Sequence, residues 1–428
     1  MPASHKRKLS TSSANASSQA SKRERPGLAR FHPNSKQAEE FGIVLREFYP
    51  PEMSNERCRA YNEDSLERPI EKLHRAFEET MNARRSIKAG AAVVHWFKSD
   101  LRLYDNRALQ SAFQVARDNN IPLIGLYILS PDDLTAHLSS APRVDFTLRT
   151  LATLKRDLGE LDIPLYMETQ HSRKDIPQRI VDLCKRWSAN HLFANMEYEV
   201  DELRREAKLI NLGAQNGIKV EAVHDTCVVT PGRLSTQQGK QYAVYSPWFR
   251  SWVAFLKDNP EYIEQSEKPG PNPEDAREQF KDLFDCDIPV APANKQLSEE
   301  QRLHFQNLYP EGEHEAIRRL DSFLKDKAGK YHEARNMVAG VTTSVLSPYF
   351  ASGALSARTA VAKAKEANKN ELDRRGTGHT AWISEVAWRD FYKHVLVHWP
   401  FICMNKCFKP EYTNLEWEYN EDNFNAWC

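Results

Sequence analysis

From Ala91 onward the chain alternates two patterns. Short apolar runs rich in β-branched residues occur at "AAVVHWF" (91–97), "IPLIGLYIL" (121–129), "IPLYMET" (163–169), "HLFANM" (191–196) and "VEAVHDTCVV" (220–229). Between them lie stretches with helical periodicity, such as "DFTLRTLATLKRDLGEL" (145–161) and "QRIVDLCKRW" (178–187). This alternation predicts a parallel sheet covered by helices, an α/β domain over 91–230. No G-x-G-x-x-G or phosphate-loop pattern follows any of the runs, so a standard dinucleotide or triphosphate site is not signalled. "EKPGPNPEDA" (267–276) and "IPVAPANKQ" (288–296) are proline-rich and polar, and they predict a long surface connection over 231–298. From Glu299 the strand pattern stops and helical periodicity continues through "GEHEAIRRLDSFLKDKAGKY" (312–331) and "SARTAVAKAKEANKN" (356–370). The expected architecture is therefore α/β followed by all-α, with 299–428 as the helical part.

One helical stretch breaks its own pattern. In "WISEVAWRDFYKH" (382–394), residues three and four apart share a face, so Trp382, Glu385, Trp388, Arg389 and Tyr392 line up together. Two readings fit. The aromatics are core and Glu385–Arg389 is a surface ion pair, or a hydrogen-bonding acid beside flat rings forms a surface that stacks and reads a heterocyclic base. A second stretch, "TTSVLSPYFASGALSAR" (342–358), places Ser347 as a helix cap before Pro348, Gly353 just past that helix and Ser356 as the next cap. The hydroxyls of Thr343, Ser344 and Ser347 are either plain caps and turn residues or a place for phosphate oxygens.

Composition narrows the picture. A chain of 428 residues predicts two or more domains, and no apolar run is long enough to span a bilayer. Lys plus Arg and Asp plus Glu balance at 59 each, so binding to a polyanion must come from a local patch. Seven scattered cysteines without a CxxC pair predict a reducing compartment, and the spacing of Cys403 and Cys407 in "CMNKC" predicts no metal centre. The first thirty residues are rich in Ser, Lys and Arg and read as a disordered tail within an extension reaching residue 90. Lys6-Arg7-Lys8 with Lys22-Arg23 suit a split nuclear-import signal, and the acid-poor start also suits a mitochondrial transit peptide.

Taken with "VVHWFKSDLRLYDNRAL" (93–109) and "YAVYSPWFRSW" (242–252), the two helical-domain stretches closely resemble the cryptochrome/photolyase family. The resemblance runs in order through nearly everything after Ala91 and is nearest to the class I photolyases that repair cyclobutane pyrimidine dimers. It implies an antenna-binding α/β domain and a helical FAD domain. Tyr331, Thr343, Ser344, Val345, Leu346 and Ser347 match positions that hold the FAD phosphates and ribityl chain, and Trp382 and Arg389 match further flavin positions. Glu385 and Trp388 match the residues that receive the flipped dimer, with Arg335, Tyr392 and Lys393 as further DNA contacts. Related animal-type cryptochromes commonly carry Gln where this chain has Glu385.

The implied chemistry is electron transfer from light-excited, reduced FAD to a dimer held outside the duplex. Asp201, Glu202 and Cys403 match antenna positions, with a reduced folate (methenyltetrahydrofolate) or a deazaflavin as the chromophore; Met404 stands where some folate binders have Lys. Trp417 matches the outermost tryptophan of the photoreduction chain. Its two inner partners, and the rest of the flavin pocket, are expected beyond Cys428. A monomer acting on dimer-containing DNA is expected. A blue-light photoreceptor of the cryptochrome kind, or an incomplete chain that cannot hold FAD, are the alternatives.

Overall fold

The computed structural model describes residues 55–337, 340, 342–404, 406–409, 412 and 420–427, all within the unit that runs from Phe48 to Cys428. The basic tail lies outside the described residues. The extension behind it is built structure: helices α1 (Asn55–Asn62) and α2 (Pro69–Glu79) precede the sheet, and Ile70, Leu73 and Ala76 of α2 join the sheet's core.

Strands β1 (Ala92–Phe97), β2 (Leu123–Leu129), β3 (Leu165–Thr169), β4 (Ala189–Asn195) and β5 (Lys219–Val223) form one parallel sheet in the order β3-β2-β1-β4-β5. β1 and β2 are buried at every position, whereas the edge strands β3 and β5 are only partly so. Central parallel strands are covered on both faces, which is why their sequences read as unbroken apolar runs. Along β1 the two faces alternate: Ala92, Val94 and Trp96 enter one core, and Val93 and Phe97 the other. Helices α3 (Arg107–Asp118), α4 (Ala141–Gly159), α5 (Ile176–Arg186) and α6 (Val200–Gln215) supply the crossovers. Asn106 caps α3 by accepting from the Leu109 amide at 3.0 Å. The chain moves outward through β2 and β3 and returns to β4 beside β1, so the topological switch lies between β1 and β4.

The segment expected to be a surface connection is in part core. Helix α7 (Tyr245–Asp258) lies within it, and Trp248 and Trp252 are wholly buried among Trp382, Val386, Ala387 and Phe391. The two tryptophans stand four residues apart and so face one side of α7. Helices α8 (Gly312–Asp326), α9 (Ser347–Ser352), α10 (Ala357–Ala367) and α11 (Gly378–His398) complete this layer. Ser356 caps α10 as expected, accepting from the Arg358 amide at 3.1 Å. Ser347 does not cap α9: it is the helix's first residue, Leu346 occupies the cap position, and no side chain closes that end. Gly353 ends α9 at φ +72°, and a Cβ there would lie 2.0 Å from the Ser99 carbonyl oxygen.

That close approach belongs to a buried polar seam between the loop after β1 and the helices. Arg358, with no exposed surface, donates to Asp105 at 2.7 Å and to Asp225 at 2.6 Å. Thr359 donates to Asp105 at 2.8 Å, Arg102 donates to the Gly353 carbonyl at 3.0 Å and pairs with Asp225, and Glu313 accepts from the Leu103 and Tyr104 amides at 2.9 Å. Burial alone would raise the Asp225 carboxyl, but Arg102 and Arg358 hold it well below the usual carboxylate range. Charges removed from water persist only when each finds partners of this kind.

Candidate functional site

α11 is capped by Thr377, whose hydroxyl accepts from the Thr380 amide at 3.2 Å, and runs 21 residues from Gly378. The stripe that broke its amphipathic pattern grades from core to solvent. Trp382 is buried against Phe323 at 5.3 Å between ring centres, Glu385 and Trp388 are half-buried, and Tyr392 is exposed. Glu385 does not pair with Arg389; its carboxylate takes the guanidinium of Arg335. Arg389 instead donates to the Thr226 carbonyl, at the seam with the α/β layer. Tyr331 meets Phe323 edge-on at 5.8 Å, and burial together with the Glu385 charge raises its phenol. Tyr331, Arg335, Trp382 and Glu385, from two separate stretches, are thus brought together.

Trp388 lies flat on Tyr245, with ring centres 3.5 Å apart and planes 9° apart. The Tyr245 phenol donates to the Ser384 carbonyl at 2.7 Å. Tyr392 flanks the same indole at 5.4 Å and 28°. Sequence reasoning did not single out Tyr245, although it sits inside the quoted "YAVYSPWFRSW". Lys393 is committed elsewhere: its ammonium pairs with Glu199 beside the start of α6 and holds that carboxyl low against the opposing effect of burial.

The hydroxyl run forms the loop into α9. Thr343 and Ser347 are exposed, Ser344 and Val345 half-buried, and Leu346 is buried in the helical core. Among the described residues the hydroxyls of Thr343, Ser344 and Ser347 have no hydrogen-bond partner, so they are not serving as caps. Val345 stands at φ +53°, a costly conformation for a β-branched residue. Thr342 ties the loop to the Tyr331 turn by donating to the Ala334 carbonyl at 2.8 Å.

Of the residues expected at antenna positions, Glu202 lines a cavity on the α/β layer, and Asp201 and Cys403 are not among that cavity's lining. A cavity of about 150 Å³ opens at the ends of β1 and β2 and is lined by Lys98, Tyr127, His137, Glu197, Glu202 and Arg205 among others. Glu202 is 6% exposed, and its Oε2 has no partner among the described residues. Burial, with the nearby Glu197 charge, pushes its carboxyl up to about 8. Asp201 pairs with Arg173 at 3.0 Å. Cys403 packs with Cys58, Tyr61, Val200 and Phe401, and burial pushes its thiol up to about 11. Asp133, His137 and Glu202 bring ligand atoms within 4.8 Å of one another. Asp133, however, already accepts from Arg173 and Arg205 at 2.8 Å each, so protein cations meet its charge. Trp417 lies outside the described residues.

Known proteins resemble this chain in sequence and in fold. The family model described as DNA photolyase matches residues 93–271, and the one described as the FAD binding domain of DNA photolyase matches 382–428. A Neurospora crassa protein named deoxyribodipyrimidine photo-lyase is 56% identical over 401 residues, covering 92% of this chain and 65% of that protein. The mitochondrial deoxyribodipyrimidine photo-lyase of Saccharomyces cerevisiae is 27% identical over 425 residues, covering 91% of this chain and 71% of that one. The crystal structure of a class III photolyase from Agrobacterium tumefaciens shares the fold, with a TM-score of 0.63 at 23% identity over 80% of this chain and 66% of that one. The chain spans about two thirds of the length of the curated relatives it matches. With both domain models in order, the 56% identity to the Neurospora protein and a doubly wound sheet followed by a helical layer, the chain belongs to the cryptochrome/photolyase family.

Proposed function

We propose that the chain serves light-driven repair of cyclobutane pyrimidine dimers in DNA, using FAD. The observation that carries this reading is Glu385 beside Trp388 on a half-open helix face, with Arg335 at the acid and Tyr392 at the rim. A flat indole stacks any base, and a carboxylate beside it fixes one base edge by accepting an N–H. A dimer already poorly stacked leaves the duplex at reduced cost, which favours damaged over intact DNA. Arg335 suits a backbone phosphate, but it must exchange Glu385 for that phosphate.

The residues present fit FAD. The unpartnered hydroxyls of Thr343, Ser344 and Ser347 suit phosphate oxygens, while Tyr331, Leu346 and Trp382 belong to the buried helical core that carries this loop and α11. Arg389, anchored at Thr226, would contribute through the rest of its guanidinium. Bound FAD in its reduced form would supply the light-excited electron. On the α/β layer, the unpartnered Oε2 of Glu202 suits an N–H donor of a folate or deazaflavin antenna, with Asp201 next to it in the chain and Cys403 packed in the cluster of Val200. We place the protein in the nucleus or mitochondrion, acting as a monomer on damaged duplex DNA. The mitochondrial option draws on the yeast relative's name.

Gel filtration of the 428-residue chain with FAD tests the cofactor reading. Flavin absorbance co-eluting with protein is expected, and Thr343→Ala with Ser347→Ala should weaken it. Flavin eluting wholly apart from the protein would overturn it.

A further inference from the structure

We propose that Tyr245 is a positioning residue that fixes the plane of the Trp388 indole and leaves only one of its faces for a base. The inference rests on the reading of Trp388 as a stacking surface and adds to it the part that holds that surface still.

Three observations carry it. The Tyr245–Trp388 contact, at 3.5 Å and 9°, is the closest and flattest aromatic pair among the described residues. Tyr245 is itself pinned, since its phenol reaches both the Ser384 carbonyl and the Ser384 hydroxyl at 2.7 Å, one turn before Trp388 on α11. Its helix is anchored to the same α11 by the wholly buried Trp252, whose indole N–H donates to Asp390 at 3.2 Å. The indole therefore rests on a ring whose two ends are fixed to the helix that bears the indole.

A half-exposed tryptophan without such a backing can turn about χ1 and χ2, and stacking a base would first have to select one orientation. Tyr245 removes that choice in advance. It also occupies one face of the indole, so the base must arrive on the opposite face. Phe at position 245 would keep the ring contact and lose the tether; Leu would lose both.

The test measures binding of the full chain to a duplex oligonucleotide with one thymine dimer and to the same duplex undamaged. Tyr245→Leu should lower the preference for the damaged duplex about tenfold while leaving affinity for the undamaged one unchanged, and Tyr245→Phe, which keeps the ring and loses the tether, should lower it by about threefold. Circular dichroism confirms that each variant folds. If Trp388→Ala loses the preference and Tyr245→Leu keeps it, the positioning role is wrong while the stacking reading stands. If Tyr245→Leu weakens both duplexes equally, the residue is only structural and the proposal fails. If wild type shows no preference, or Trp388→Ala keeps it, the stacking reading fails and takes this inference with it.

Discussion

Arg335 and Glu385, fifty residues apart in the chain, form an ion pair on the half-open face of α11. The side chains are 42% and 38% exposed, so water screens the pair and its contribution to stability is at most about 1 kcal/mol. Its consequence is for binding, because Glu385 occupies the cation that a DNA phosphate would use.

Glu385→Gln should therefore separate two properties. Release of Arg335 is expected to steepen the salt dependence of binding to undamaged duplex by about 0.9 in log K against log salt, one added phosphate contact. Exchange of the charged acceptor for a neutral, weaker one is expected to reduce the preference for dimer-containing duplex. Fluorescence anisotropy across a salt series reads both.

Gly353 gives a prediction with an internal control. Gly353→Ala must place a methyl against the Ser99 carbonyl oxygen and the Asp100 Cα, 2.0 and 2.5 Å away, so a loss beyond about 3 kcal/mol is expected. Gly376 has the same φ of +72° with nothing within 4 Å, and Gly376→Ala should cost only about 1–2 kcal/mol. Urea denaturation of the two variants separates steric conflict from backbone strain.

Asp390 is wholly buried. Its Oδ2 accepts from the Val228 and Val229 amides and the Trp252 indole, while Oδ1 has no partner among the described residues. Burial, opposed by those donors, pushes its carboxyl up to about 6. An acid raised on folding stabilises below its unfolded pKa and loses that contribution as pH rises through the folded one. Stability relative to Asp390→Asn should thus fall from about pH 4 to pH 6 and stay flat above about pH 7. Denaturation of both proteins across that range checks the sign.

Asp225 has the opposite sign. Its depressed carboxyl stabilises above the ordinary carboxylate pKa, and that contribution is lost on acidification through the lowered value. Asp225→Asn should leave Arg102 and Arg358 undercompensated and cost about 3–5 kcal/mol at neutral pH, with a shallower acid limb in the denaturation profile.

Much of the fold was legible because it rests on local physics. Buried parallel strands must be unbroken apolar runs, and Gly353 and Ser356 end and start helices by their own backbone and hydroxyl chemistry. α7 was hidden because proline-rich segments follow it and its Trp248–Trp252 face finds a partner only in α11. The site residues on α11 could be aligned from helical spacing, but their partners could not. Arg335 for Glu385, Glu199 for Lys393 and Tyr245 for Trp388 all come from distant stretches that only packing brings near. Ser347 misled as a cap because Ser-Pro is a helix-start signal one residue wide, and the helix here begins one residue earlier.

The central claim is that Glu385 and Trp388 hold a dimer for a light-driven electron. The most direct test is blue-light repair of a dimer-containing oligonucleotide by the FAD-loaded chain, beside Glu385→Ala and Trp388→Ala. Light-dependent loss of dimer that both substitutions reduce about tenfold or more is the predicted result. No repair by a chain that has retained its flavin, or repair indifferent to both substitutions, would contradict it.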